Sequence, residues 1–233
     1  MTSFSKFGFE KRENFFTIKE IDIIKREIEL IIKQKSSYEY YEDEILVRIE
    51  NFVDLSQKLK EVLLSNKVLN LVGEFFENLE PILFKDKLNF KKFGSRPDLL
   101  HQDIQAPWDK YGFNNFVTLG IPLDVCEIDN SCLWFLKEER KIYSDCSSPL
   151  EMANFKKESF VPMIMSPGDV SVHDAYAVHH SEKQKSYKSR RIIFLTFNKK
   201  SDGDFRKEYY RDKIKSYPPN NMRIEGVTYE YKV

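Results

Sequence analysis

Downstream of Pro81 the sequence breaks into short β-rich runs with no helical stretch between them: ILFKDKLNF, NFVTLGIPL, SCLWFL, SFVPMIM, GDVSVHD and RRIIFLTFN. Turn material separates them, as in Phe93-Gly94-Ser95-Arg96-Pro97, Ile128-Asp129-Asn130 and Ser166-Pro167-Gly168. Many short strands joined by turns rather than by helices exclude a βαβ architecture and predict an antiparallel sandwich or jelly roll. The last run is apolar on both faces, with Ile192 and Phe194 on one and Ile193, Leu195 and Phe197 on the other, so its strand is expected to be covered on both sides.

The N-terminal part reads as helical. Thr17 and Glu20 form a capping box, Phe16 and Ile21 stand where a hydrophobic staple fixes the chain entry, and Ile21, Ile24, Ile28, Ile31 and Ile32 recur at helical spacing. A second helical pattern runs from Val53 to Phe76, and DFRKEYYRDKIKSY predicts a last helix before Pro218-Pro219. The expected organisation is one folding unit over residues 1–233: a mainly helical layer over 1–80, a jelly-roll core over 81–200, and a C-terminal helix and tail over 201–233.

Composition narrows the partners. Thirty-seven basic and 37 acidic residues cancel, and 41% of the residues are hydrophobic. A balanced charge excludes nucleic acid and anionic membrane as main partners, since phosphate backbones need a basic excess. No membrane span and no secretory signal is legible, and Cys126, Cys132 and Cys146 form no CxxC pair. These features predict reduced thiols and a cytoplasmic location, with no membrane association; the oligomeric state is not legible.

The four histidines, His101, His173, His179 and His180, all lie in or beside predicted strands. In His101-Gln102-Asp103 an extended chain puts residues i and i+2 on one side, so an imidazole and a carboxylate converge. A second histidine from a distant strand completes a two-His, one-carboxylate facial set that leaves open positions on Fe(II). Such a histidine follows some 75 residues later, with an arginine beyond it on a strand. An arginine entering an apolar strand is costly unless paired, and its planar fork suits the far carboxylate of a 2-oxo dicarboxylate. Alternation alone does not choose between Arg190 and Arg191, or between His179 and His180.

The segments LLHQD, VTLGIPLDVCEIDNSCLWFL and SPGDVSVHDAYAVHHSEKQKSYKSRRIIFLTFN resemble the phytanoyl-CoA dioxygenase-like family of Fe(II)/2-oxoglutarate oxygenases, which includes ectoine hydroxylase, over roughly Lys87 to Asn198. The resemblance implies a double-stranded β-helix of cupin type. It also implies Fe(II) held by His101, Asp103 and His179, with 2-oxoglutarate and O2 as cosubstrates. The family register selects His179 over His180. It places Arg190, eleven residues on, at the cosubstrate's distal carboxylate, with Ser181 assisting it and Asn89 as a further contact.

The implied activity is hydroxylation of an unactivated C–H bond of a small molecule, with release of succinate and CO2. Asp103 argues against halogenation, because halogenases of this kind replace the carboxylate by a small residue. Gln102, Trp108 and Tyr111 are candidate substrate contacts, and the two aromatics are equally explicable as core. His173 and Asp174 are expected to make strand-end hydrogen bonds. The chain departs from the family at Lys137-Glu138-Glu139-Arg140 and at His180, which stands where glycine is common, so no family substrate carries over. The alternative for the same residues is a catalytically silent metal-binding jelly roll with a structural or sensing role.

Overall fold

A computed structural model describes residues 3–106, 108–113, 115–143 and 150–229. The strands are β1 (Phe9–Arg12), β2 (Tyr38–Glu42), β3 (Ile45–Glu50), β4 (Pro81–Lys91), β5 (Asp98–His101), β6 (Phe116–Pro122), β7 (Leu133–Leu136), β8 (Phe160–Met163), β9 (Val170–Asp174), β10 (His179–Ser181) and β11 (Arg190–Lys199). The helices are α1 (Ser3–Phe7), α2 (Ile18–Gln34), α3 (Gln57–Leu63), α4 (Asn66–Glu74) and α5 (Arg206–Ser216). One sheet has the order β1-β9-β6-β11-β4-β3-β2 and the other β5-β10-β7-β8. Neighbouring strands are antiparallel throughout. This is the jelly-roll fold, with helices on one side.

The two faces of β11 divide the interior. Ile193, Leu195 and Phe197 pack outward with Val117, Leu119, Ile121, Val170 and Val172 against α2, α3 and α4. Ile192 and Phe194 pack inward with Phe9, Leu133, Phe135 and Met163, between the sheets. A strand buried on both faces needs apolar residues at consecutive positions, as Ile192 to Leu195 supply. A third cluster, built on Phe84, Trp108, Tyr111, Phe113, Phe116 and Tyr209, fills one end of the sandwich.

Helix α2 starts as its sequence dictates. The Thr17 hydroxyl accepts the Glu20 amide, and the Glu20 carboxylate accepts the Thr17 amide at 2.7 Å. Phe16 and Ile21 are both buried in the outer core. The pattern from Val53 to Phe76 is broken: α3 ends at Leu63 and α4 restarts after Ser65, whose hydroxyl bonds the Val62 carbonyl instead of continuing the helix.

The N-terminal stretch also contributes three strands that helical periodicity did not reveal. The β2–β3 hairpin turns at Asp43-Glu44, both at positive φ (46° and 64°), a primed turn made without glycine or asparagine. The 137–140 departure pins the N-terminus. Arg140 pairs with Asp174 at the end of β9 and donates to the Ser5 carbonyl. Cys126 and Cys132 are buried free thiols, pushed up by burial to about 12 and about 11; Cys146 lies outside the described residues. No helix among the described residues is long and apolar enough to cross a membrane.

Candidate metal centre

β5 ends at His101, Gln102 stays extended (φ −113°, ψ 141°), and Asp103 opens a single 3₁₀ turn. His101 and Asp103 therefore share a side, as the HxD spacing predicts. β10 lies against β5 with His179 directly opposite His101, and the two ring centroids are 4.3 Å apart. Cross-strand register thus brings together residues far apart in sequence. One ligand atom from each of His101, Asp103 and His179 lies within 4.8 Å of the others, a spacing that fits one metal ion.

The surrounding hydrogen bonds prepare the three donors. His101 Nδ1 bonds the Leu99 carbonyl at 2.7 Å, and His179 Nδ1 bonds the Ala177 carbonyl at 2.9 Å. A carbonyl accepts only, so each Nδ1 carries the proton and each Nε2 keeps its lone pair for a metal. Asp103 Oδ2 accepts from His173 Nε2 (3.2 Å) and from the Thr118 hydroxyl (3.3 Å), leaving Oδ1 toward the histidines. Burial, with the neighbouring imidazole adding to it, holds His179 well below the usual histidine range, and burial lowers His101. Burial alone would raise Asp103, but the His173 hydrogen bond and nearby positive charges, Lys85 among them, hold it well below the carboxylate range. Two neutral imidazoles and one carboxylate are the donor states a divalent cation requires.

Arg190, at the start of β11, is fully buried, and its Nε, Nη1 and Nη2 make no hydrogen bond with any described residue. Arg191, its neighbour, instead forks onto Asp124 at 2.9 and 2.8 Å. Lys91 stands opposite Arg190 in the β4–β11 register. Its ammonium bonds Ser181 Oγ at 2.6 Å and Asp98 Oδ2 at 2.8 Å, and Ser181 Oγ donates to Asp98 Oδ2. Burial lowers Lys91 to about 8, with the Arg190 charge adding to the effect. Burial would raise Asp98, but Lys91 and Arg190 outweigh it and hold the carboxyl far down. One carboxylate thus faces two cations, which leaves a positive charge for a further anion.

The other residues singled out in the sequence take distinct places. Asn89 is half-buried on the same face of β4 as Lys91, opposite Ile192, and its carboxamide has no hydrogen-bond partner among the described residues. Gln102 is fully buried, donates to the Lys141 and Tyr176 carbonyls and accepts the Tyr143 amide, so it clamps the 141–143 segment to the HxD turn. Trp108 and Tyr111 are buried in the end cluster, with Tyr111 Oη bonding Asp212. His180 points away from the triad, stacked on Trp134 and edge-on to Phe160. His173 and Asp174 make strand-end hydrogen bonds, as their position predicts. Sequence reasoning did not single out Thr118, Lys91 or Asp98; only the sheet register joins them to the site.

Comparison with known proteins identifies the family. The family described as "Phytanoyl-CoA dioxygenase (PhyH)" matches residues 4–192. A 2-aminoethylphosphonate dioxygenase from the uncultured bacterium HF130_AEPn_1 is 31% identical over 190 residues, covering 80% of this chain and 72% of the relative. A methylphosphonate hydroxylase from Gimesia maris is 30% identical over 175 residues, covering 73% of this chain and 65% of the relative. The crystal structure of EctD from S. alaskensis with 2-oxoglutarate and 5-hydroxyectoine superposes with a TM-score of 0.77 at 18% identity, over 86% of this chain and 75% of that one. The same enzyme has been solved with bound Fe. With the family matched over residues 4–192 and His101, Asp103 and His179 close enough to share an ion, the chain belongs to the phytanoyl-CoA dioxygenase family and is an Fe(II)- and 2-oxoglutarate-dependent dioxygenase that uses O2.

Proposed function

We propose that His101, Asp103 and His179 hold Fe(II), and that Arg190, with Asn89 beside it, receives the distal carboxylate of 2-oxoglutarate. The observation that carries this reading is the fully buried Arg190 guanidinium, whose three nitrogens have no hydrogen-bond partner among the described residues. A planar fork in an apolar strand is stable only against a bidentate anion, and a dicarboxylate supplies one. Ser181 acts through Lys91: its hydroxyl and Asp98 orient the ammonium next to Arg190.

Bound iron supplies the two-electron activation of O2 that is coupled to oxidative decarboxylation of 2-oxoglutarate. The protein's own contribution is positional. The carbonyls of Leu99 and Ala177 fix the imidazole tautomers, and His173 and Thr118 hold one Asp103 oxygen so that the other faces the histidines. Phe135, stacked on His179 at 5.4 Å, excludes water from that side. The overall reaction is hydroxylation of a small molecule: R–H, O2 and 2-oxoglutarate give R–OH, succinate and CO2.

The substrate reading follows the two curated relatives, whose names specify 2-aminoethylphosphonate and methylphosphonate. A small organophosphonate is the substrate class proposed for this chain. Turnover with Fe(II), O2 and each of these two phosphonates, followed by succinate release, tests it. Asp103→Ala is expected to abolish succinate formation, and normal turnover by that variant would refute the metal assignment.

A further inference from the structure

The inward face of β4 carries more positive charge than a cosubstrate carboxylate needs. Lys85, Lys87, Asn89 and Lys91 alternate along one face of the strand. Lys85 stands opposite Thr196, and Thr196 stands opposite Thr118, whose hydroxyl bonds Asp103. In an antiparallel ladder, directly opposed residues share a face, so Lys85 and the Asp103 carboxylate look into the same space. Two strand spacings, about 10 Å, separate the Lys85 backbone from that of Thr118. The Lys85 ammonium lies 3.8 Å from the Trp108 ring centroid, and that of Lys87 lies 5.1 Å from the ring of Phe194, a residue of the inter-sheet core.

Both lysines are half-buried, and neither makes a hydrogen bond or ion pair with a described residue. Asp103 and Glu50 attract Lys85, and Glu50 stands opposite Lys87 in the β3–β4 register, but neither forms an ion pair with these lysines. Glu50 is held by Arg48 (3.1 Å) and Lys213 (2.9 Å), and Asp86 by Arg206 and the backbone amides of Phe52 and Val53. Asp98 belongs to Lys91. Burial, followed by repulsion from Lys87, outweighs the attraction of Asp103 and Glu50 and pushes Lys85 well below the usual lysine range. Two neighbouring lysines with no hydrogen-bonded counter-ion among the described residues carry their charges at a cost that an anion between them offsets.

We propose that Lys85 and Lys87 bind the tetrahedral oxyanion head of the substrate, a phosphonate, with Trp108 backing Lys85 and the rest of the molecule directed at the metal. This rests on the oxygenase reading above and assigns its substrate contact. The two cation types divide the two anions by shape. The planar fork of Arg190 matches a carboxylate, whereas ammonium groups on flexible stems act as point charges that adapt to three oxygens.

Titration of methylphosphonate into protein loaded with Mn(II) and 2-oxoglutarate, followed by calorimetry, tests the site without turnover. Wild-type protein is expected to bind, and Lys85→Met and Lys87→Met each to bind about 10- to 100-fold more weakly, the loss expected for one charge-assisted contact. Lys33→Met, which removes an exposed charge on α2, is expected to bind like wild type. Propionate is expected to bind far more weakly than methylphosphonate. If a methionine variant fails to fold, Lys87→Gln takes its place. No binding by wild type, unchanged affinity in the lysine variants, or equal affinity for propionate overturns the proposal. Uncoupled decarboxylation of 2-oxoglutarate by Fe(II)-loaded wild-type protein tests the oxygenase reading by itself, so the two failures are distinct.

Discussion

Replacing Arg190 by methionine should change stability and cosubstrate affinity in opposite directions. The guanidinium is fully buried, its three nitrogens have no hydrogen-bond partner among the described residues, and the adjacent carboxylate, Asp98, is bound to Lys91 at 2.8 Å. An unpaired buried charge costs free energy, and replacing even a complete buried ion pair by apolar side chains of similar volume is commonly neutral or stabilising, by about 1–4 kcal/mol. In a chain of this size each kcal/mol moves the unfolding midpoint by roughly 2–4 °C. The variant without 2-oxoglutarate is therefore expected to melt several degrees above wild type. With 2-oxoglutarate present the order reverses, because the cosubstrate's carboxylate is then buried without its fork. Removing one partner of such a pair costs about 3–5 kcal/mol. At 1.4 kcal/mol per decade, the KM for 2-oxoglutarate should rise roughly a hundred- to several-thousandfold. Thermal unfolding of Mn(II)-loaded protein with and without 2-oxoglutarate, alongside steady-state kinetics, reads both effects. A variant that melts lower than wild type in the absence of 2-oxoglutarate refutes the reasoning, since the guanidinium would then be serving the protein rather than awaiting a ligand.

His173→Ala should weaken Mn(II) binding by about 10- to 100-fold while leaving the fold intact, because it removes the hydrogen bond that orients Asp103. His173→Gln, which keeps a donor, should recover part of that loss; equal metal affinity in wild type and alanine variant would rule out the positioning role. For Lys91, burial sets the ammonium near 8, so it loses its charge as pH rises through that value. An anion binds best to the protonated form, so KM for 2-oxoglutarate should be flat below pH 7 and climb above about 8, by at most about tenfold per unit. Lys91→Arg should remove the climb, and a wild-type KM flat to pH 9.5 would contradict the assignment.

Much of the site was legible because its chemistry rests on local spacing. His101 and Asp103 sit two apart in extended chain, and Ile192 to Phe197 alternate between two apolar faces. The choice of His179 and Arg190 over their neighbours came from the family register, and in the structure the members of each pair have different surroundings. His179 faces His101 while His180 stacks on Trp134, and Arg191 has Asp124 while the Arg190 guanidinium makes no hydrogen bond with a described residue. The β2–β3 hairpin was not legible, since its strands mix charged and aromatic residues and Asp43-Glu44 lacks the residues that usually announce a primed turn.

By itself the sequence determined which side chains can do chemistry and that they lie on strands, because both follow from residue type and a period of two along the chain. Which of those strands are neighbours is not a local property. Long-range pairing places His179 against His101 and sets Thr118 and His173 behind Asp103. It also puts Lys85, Lys87 and Lys91 on the face of β4 that Ile192 and Phe194 share in the neighbouring strand. A polar row on a strand looks the same in sequence whether it faces water or a binding cavity; only the closing of one sheet over the other decides which.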